Sequence, residues 1–580
     1  MNPFVDEIVQ MTAAVAGLDE TVVRELLAVP PDDKLGDYAL PCFTLAKQLR
    51  KNPAQIAGDI AGQLAPHIAD SGRIDSVSAA GPYVNFVLSP AAFIGYVLDR
   101  VAAEGETYGS QDQGQGKRLT IDFSAPNSAK PFSIAHLRST AIGNSIYRIH
   151  QFLGWSCIGI NHLGDYGANF GQLLAAYGMW GDEAQVKLNP VPELQALYVR
   201  FNEEQEKDTA LRDAARECVR LLAEGDEEML RLWTWFTAES SKEAERIYRI
   251  LGVHFDETKG ESAFVDKLDE VIELFSSKGL AEESEGALIV HLTKDGDAQQ
   301  EQGKPSIAPL MLRTSRGTST YHSRDVAALL YRWERYAFDK MVYVTDSRQM
   351  LHFQQLFLAM ERAGMDWIDR CEHAPFGLMS FKGKTFSTRK GFSVMLEDVL
   401  DQAIALTADI IAEKNPDLAD SAHVARQVGI SAVIFADVNN RRTRDISFAL
   451  EDVLNFDGET GPYVQYTHAR FCSILRKYER AGDLSADVSR LGEPGEMRLS
   501  RKLAEFPLVL DNAMRDNEPS FVASYVVDLA TAANKFYNEV PVLAGDDADL
   551  IAARVRLVAA ARGVLSTGLY LLGMSAPEQM

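Results

Sequence analysis

Residues 124–140 read SAPNSAKPFSIAHLRST. The preceding RLTIDF sets Leu119, Ile121 and Phe123 at the two-residue period of a strand, and Ile142, Ile146, Ile149 and Leu153 follow at helical spacing before Gly154. The stretch is therefore a loop between a strand and a helix, and it carries Asn127, Lys130, Ser133 and His136. A loop so placed, with a cation, a hydroxyl and an imidazole three residues apart, suits a nucleotide. SCIGIN (156–161) reads as the next strand and completes a βαβ unit, whose ligands bind at the carboxyl ends of its strands. No GxGxxG follows the first strand, which argues against a dinucleotide oxidoreductase.

The elements that must hold this loop can be read outward from it. KMVYVT (340–345) is a further strand of the same sheet, and the segments near 175–250 and 261–320 are too long for simple crossovers and read as insertions. Residues 1–110 alternate helices with short strands. GDYALPCFTLAKQLRK (36–51) reads as a turn and an amphipathic helix. AAGPYVNFVLS (79–89) reads as a strand with Tyr83, Asn85 and Val87 on one face and Val84, Phe86 and Leu88 on the other. GSQDQGQGKR (109–118) reads as a linker. From about 396 the pattern turns helical, with Leu396, Val399, Leu400, Ala403, Leu406 and Ile410 on one face. The expected class is α/β plus all-α. The expected division is 1–110, a Rossmann-like unit over 111–395 with its insertions, and a helical bundle over 396–580.

Composition bounds the function. A chain of 580 residues needs several cores. A net charge of −24 excludes general nucleic-acid binding and leaves RNA only a confined basic face. Cys42, Cys157, Cys218, Cys371 and Cys472 are scattered and lack metal-ligand spacing, so the expectation is a reducing cytoplasm and no protein-bound metal. The first residues, MNPFVDEIVQMT, lack the basic and apolar regions of a secretory signal, and no run of eighteen apolar residues suggests a membrane span.

Seven stretches together resemble the arginyl-tRNA synthetases, a branch of the class I aminoacyl-tRNA ligases. They are PNSAKP (126–131), HLRST (136–140), NHLGDYG (161–167), YHSRD (321–325), LHFQQ (351–355), STRKG (387–391) and FDGETGPYVQY (456–466). The resemblance covers nearly the whole chain. It implies an N-terminal tRNA-contacting domain, a Rossmann-like class I catalytic domain and a helical anticodon-binding domain. It also implies ATP-dependent activation of arginine and transfer to tRNA(Arg), with magnesium alongside ATP, in a cytoplasmic and monomeric protein.

By the same resemblance, Glu261 and Asp325 accept the arginine guanidinium, whose planar fork needs paired carboxylates. Tyr321 shapes the pocket one helical turn from Asp325, and Asn127 and Gln349 hold the α-amino and carboxylate ends. The family's first signature, His-Ile-Gly-His, is here Ser133, Ile134, Ala135 and His136. Ser133 and His136 are the expected catalytic groups, and Ala135 lies against the adenine. The second signature, Lys-Met-Ser-Lys, is here Thr385, Phe386, Ser387 and Thr388, followed by Arg389 and Lys390. Ser387 and Lys390 are expected to be catalytic. Lys384, Thr388 and Arg389 are expected to contact ATP, and Lys130 to replace the missing first lysine. Asp346 stands where the family commonly has Gly, and Gln579 where it often has Arg. Tyr83, Asn85, Tyr463, Arg470 and Met580 are the implied tRNA contacts. The altered first signature keeps an alternative open: a paralog that binds arginine or tRNA with weak, lost or redirected adenylation.

Overall fold

The structure, a computed structural model, describes all residues except Met1, Ala129, 293–306, 382–383, 386–393, 456–457 and 479–485. Its contacts divide into two units. One comprises Met1–Tyr108, Phe471–Glu505 and Thr531–Val564, the other Gly109–Arg470, Phe506–Ala530 and Leu565–Met580.

The first unit holds a three-stranded antiparallel sheet with Tyr83–Leu88 between Tyr38–Pro41 and Ile74–Ala80. Two helices of this unit open in the same way: Pro3–Ala16 and Pro53–Ser71 each place Pro at the first position, behind an Asn whose side chain accepts a backbone N–H. The expected helix over 36–51 is corrected. Residues Tyr38–Pro41 form a strand, and only Leu45–Leu49 is helical. The cause lies just upstream. Gly36 takes φ +107, and a Cβ there would sit 2.6 Å from the Phe86 carbonyl oxygen. Asp37 then pins the segment, its N–H donating to Phe86 O and its carboxylate accepting from Leu88 N–H.

The second unit is built on a five-stranded parallel sheet. Its order is Cys371–His373, Lys340–Tyr343, Arg118–Asp122, Ser156–Asn161 and Glu257–Thr258. The loop of interest thus leaves the central strand; KMVYVT belongs to the same sheet, as expected, and lies next to that strand. Helix Ala135–Phe152 crosses over, and Leu119, Ile121 and Phe123 pack on Ile142 and Ile146. Gly143 permits this approach, since a Cβ there would meet the Phe123 side chain at 2.3 Å.

The segments read as insertions, near 175–250 and 261–320, contain the following described elements. Five helices from Ala168–Trp180 to Glu227–Leu251 separate the fourth and fifth strands of the sheet order, and the second segment holds helix Leu268–Ser276 and a small antiparallel sheet (Ala281–Ser284, Ala287–Val290, Leu310–Arg313). Helix Leu396–Lys414 buries Leu396, Val399, Leu400 and Ala403, but continues through Thr407 and Ile411. Leu406 is exposed, which corrects the expected face. Among the described residues no helix is long and apolar enough to cross a membrane.

Candidate functional site

The chain turns sharply at the end of the central strand. Ser124 and Ala125 take φ 69 and 45, conformations that side-chain-bearing residues adopt only under constraint. The constraint comes from the HLRST run. Ser139 Oγ accepts the Ser124 N–H at 2.8 Å and donates to Val344 O at 2.8 Å. Ser124 Oγ meets Thr140 Oγ1 at 2.8 Å and the Tyr248 hydroxyl at 2.9 Å. Arg138, fully buried, pairs through Nε with Asp437 at 2.8 Å and donates to the carbonyls of Gly377 and Arg444. Ser139 and Thr140 therefore shape the loop, and Arg138 ties its helix to the following elements.

Of the first signature, Ser133 is buried at 1% exposure and Ala135 opens the helix. The Ser133 N–H donates to His136 Nδ1 at 3.1 Å, and Ser133 Oγ lies 3.2 Å from the same nitrogen. Nδ1 is thus an acceptor, which leaves the imidazole proton on Nε2. Burial holds the His136 pKa down at about 4, so the ring is neutral near pH 7 and still offers an N–H. The strand-like bridge of Ser133 to Met395 and the bond from Ile134 N–H to Val394 O set this loop against residues that directly follow the second signature in sequence. Ser387, Thr388, Arg389 and Lys390 themselves lie outside the described residues, and only the backbone of the strand Lys384–Thr385 is described. Lys130 Nζ sits 4.8 Å from the Tyr198 ring centroid. Asn127 is exposed and bridges to Gly164, where a Cβ would strike its Oδ1 at 2.2 Å.

The two acids lie within electrostatic reach of each other, both already engaged. Glu261 Oε2 receives Arg324 Nε and Nη2, each at 2.8 Å. Asp325 faces His352 Nε2 at 2.7 Å and His162 Nε2 at 3.6 Å. Burial pushes the Glu261 pKa up, with Arg324 opposing and the charge on Asp325 adding to the rise. Burial also acts to raise Asp325, but its contact with His352 and the nearby His162 ring prevail and leave it lowered, an anion at neutral pH. Tyr321, half exposed, lies 5.1 Å from the His352 ring. Gln349 is exposed and stands at the N-cap position of helix Met350–Arg362, without a capping bond from its side chain. Asp346 turns onto Arg348, with contacts of 2.7 and 3.0 Å, so its charge is locally neutralised.

The expected tRNA contacts divide. Tyr83 is 40% exposed, edge-on to the exposed Phe43. Asn85 departs from the expectation of an RNA-facing side chain. It is 5% exposed, because it lies mid-way along the central strand opposite Ala39 and Ser78. Arg470 stacks 4.8 Å over Tyr466, the exposed tyrosine, whereas Tyr463 is partly buried. Met580 packs on the cluster of Ile411, Leu418, Val424, Ala425 and Val428, and its carbonyl accepts from Asn415 Nδ2.

Sequence reasoning assigned no role to His162, Asp165 or His352, although NHLGDYG and LHFQQ contain them. Asp165 accepts from Ser262 N–H at 2.9 Å and from its hydroxyl at 2.6 Å, which fixes the turn that presents Glu261. Gly260 is required there, because a Cβ would overlap the Asp165 carboxylate at 2.2 Å.

Three desolvated histidines predict a pH dependence. His136, His322 and His373 are held near 4 by burial, below the ordinary 6.5. The unfolded chain takes up these protons first, so stability is present above pH 6.5 and is lost as pH falls toward 4. His162 is shifted upward and opposes this as a single group. The urea midpoint is expected to drop between pH 7.5 and 5; a midpoint that rises over this range contradicts the assignment.

With this geometry in view, the comparisons are specific. Residues 4–88 match the arginyl tRNA synthetase N terminal domain, 98–450 the tRNA synthetases class I (R) catalytic domain, and 464–580 the DALR anticodon binding domain. The arginine–tRNA ligase of Alkaliphilus metalliredigens is 42% identical over 581 residues, covering all of both chains. Arginine–tRNA ligase 2 of Bacillus anthracis is 44% identical over 97% of each chain. The solved arginyl-tRNA synthetase of Thermus thermophilus superposes with a TM-score of 0.77 at 26% identity, covering 99% of each chain. The chain belongs to the arginyl-tRNA synthetases of class I.

Proposed function

We propose that the chain is an ATP-dependent arginine–tRNA ligase whose arginine site is formed by Asp325 and Glu261 and whose ATP site is formed by the loop 126–136. The observation that carries this reading is the pairing of two acids: Asp325, on helix Tyr321–Tyr336 and held as an anion against His352 Nε2, and Glu261, within electrostatic reach of it at the start of the turn Glu261–Lys267. A buried cation needs such partners. Arg324 Nε and Nη2 reach Glu261 through Oε2, and Oε1 is the oxygen assigned to an incoming guanidinium. Relatives that match along almost the full chain carry the ligase name, which favours this reading over a binding-only paralog.

In the first step the arginine carboxylate attacks the α-phosphorus, the bond to the bridging oxygen breaks, and pyrophosphate leaves. In the second a ribose hydroxyl of the terminal tRNA adenosine attacks the carbonyl carbon and AMP leaves. Asn127 and Gln349 orient the arginine backbone, with Tyr321 at the pocket edge. His136 donates its Nε2–H toward the phosphates, Lys130 adds positive charge, and Ser133 orients the imidazole in place of a second one. Ala135, Lys384, Ser387, Thr388, Arg389 and Lys390 complete the ATP side. Magnesium accompanies ATP through its phosphates. Among the described residues no cluster of three His, Cys, Asp or Glu is arranged for a metal, and no step is assigned to one.

In the first unit Tyr83 contacts tRNA(Arg); in the second, Arg470 and Met580 do so, with the exposed Tyr466 as the stacking partner of Arg470 in addition to Tyr463. The working division is 1–110, 111–395 and 396–580, in a cytoplasmic monomer. The test is arginine-dependent ATP/pyrophosphate exchange with full-length tRNA(Arg) present. Exchange well above the tRNA-free level is expected. Arginine binding by calorimetry with no exchange at saturating ATP, arginine and tRNA returns the paralog reading.

A further inference from the structure

Helix Glu227–Leu251 belongs to the first insertion, yet its last turns meet the signature loop. Glu243 Oε1 accepts the Phe132 N–H at 3.2 Å, one residue before Ser133. The Phe132 carbonyl accepts from Leu396 N–H at 3.0 Å, at the start of the helix that follows the second signature. The next residue on that helix, Glu397, pairs with Arg246, three positions along from Glu243. The contacts close a ring: Glu243 to Phe132, Phe132 to Leu396, Glu397 to Arg246. Two further contacts on the same helix anchor it to the sheet. The Tyr248 hydroxyl meets Ser124 Oγ at 2.9 Å and accepts from Asn161 Nδ2 at 3.2 Å, and the Phe132 ring lies edge-on to Tyr248 at 5.5 Å.

We infer that this insertion helix is the brace that fixes the first signature loop against the segment following the second, and that Glu243 is a positioning residue for ATP. The inference rests on the ligase reading and extends it to residues outside both signatures. Without the Glu243 acceptor, the Phe132 N–H loses its partner and the Ser133–His136 turn loses its register. Glu243 and Lys130 line the same recess beside Asn127 and Phe132, so the brace reaches the loop from its ligand side. Burial raises the Glu243 pKa, with the Phe132 N–H and Arg246 opposing.

The experiment compares Glu243→Ala, Glu243→Gln and the charge swap Arg246→Glu with Glu397→Arg in arginine-dependent exchange. Glu243→Ala is expected to raise the KM for ATP about tenfold, the scale of one charge-assisted bond, and to leave the KM for arginine within about twofold. Glu243→Gln keeps an acceptor oxygen and is expected to stay near wild type. Each half of the swap raises the KM for ATP, and the pair together restores it. Hydrogen–deuterium exchange of the peptide 126–137 is expected to accelerate in Glu243→Ala alone of the two Glu243 variants. A Glu243→Ala protein with wild-type KM for ATP and unchanged exchange of that peptide overturns the brace. So does an equal rise in both KM values with a lowered melting point, which marks a merely structural role. If the wild type shows no arginine-dependent pyrophosphate exchange, the ligase reading fails, and the brace is then judged on the peptide measurement alone.

Discussion

Replacing Asp325 by asparagine is expected to raise the KM for arginine on the order of a hundredfold, with the KM for ATP nearly unchanged. The size follows from the chemistry: neutralising one partner of a desolvated ion pair costs about 3 kcal/mol, and each 1.4 kcal/mol is tenfold. Asparagine keeps the volume and an acceptor oxygen toward His352 Nε2, now 2.7 Å from Asp325, so the pocket walls remain in place while its charge is lost. Glu261→Gln is expected to act differently. Glu261 is already paired with Arg324, whose side chain is only 8% exposed, so the amide leaves a buried guanidinium without its counter-ion. Its cost should therefore appear in stability as well as in arginine affinity. Initial-rate exchange at varied arginine, together with urea midpoints for both variants, separates the two. An Asp325→Asn enzyme with unaltered KM for arginine removes the assignment of this carboxylate to the guanidinium.

The same pair shows where sequence reading succeeds and where it stops. The strand face of Leu119, Ile121 and Phe123 and the helix face of Ile142 and Ile146 were legible because each repeats at its element's own period, and they pack together. Membership of the parallel sheet was legible for three strands, but not its order, which depends on crossover connections that no single segment encodes. The misread segment 36–51 fails for a physical reason. Its apolar spacing fits a helix, but what decides it is a close approach to Phe86, fifty residues away. In helix Leu396–Lys414 the buried face takes in Thr407, which hydropathy alone would place outside, because its hydroxyl returns to the Ala403 carbonyl.

In the candidate site, residue types were legible and partners were not. Arg324 adjoins Asp325 in sequence, yet its guanidinium reaches Glu261, sixty-three positions away. Asp346 could have faced a nucleotide, but a neighbour two positions on neutralises it. Asn85 carries the right chemistry for a base edge, and the sheet order buries it. Long-range pairing decides Arg324 and Asn85, and no local pattern encodes it; for Asp346 the deciding partner is local, but the turn that brings Arg348 onto it is not readable from residue types alone.

The second large effect is on folding. Arg138→Met is expected to destabilise the unit that contains the sheet by about 3–5 kcal/mol, the usual cost of breaking a buried ion pair from one side. Methionine fills much of the space but cannot answer Asp437, which is buried, or the carbonyls of Gly377 and Arg444 that Nη1 now satisfies. Burial already raises the Asp437 pKa, with Arg138 opposing, so removing Arg138 raises it further. A carboxyl whose folded pKa lies above its unfolded value favours the folded state at low pH and loses that contribution as pH rises through the folded pKa. The gap between variant and wild type should therefore narrow in acid and reach its full value at neutral pH. Arg138→Met combined with Asp437→Leu, which removes the orphaned charge as well, should recover most of the loss, since an apolar pair often substitutes for a buried ionic one. Urea midpoints of the three proteins at pH 5 and 7.5 check this. A single variant whose deficit is the same at both values, and is not relieved by Asp437→Leu, would show that the ion pair is not what the arginine contributes.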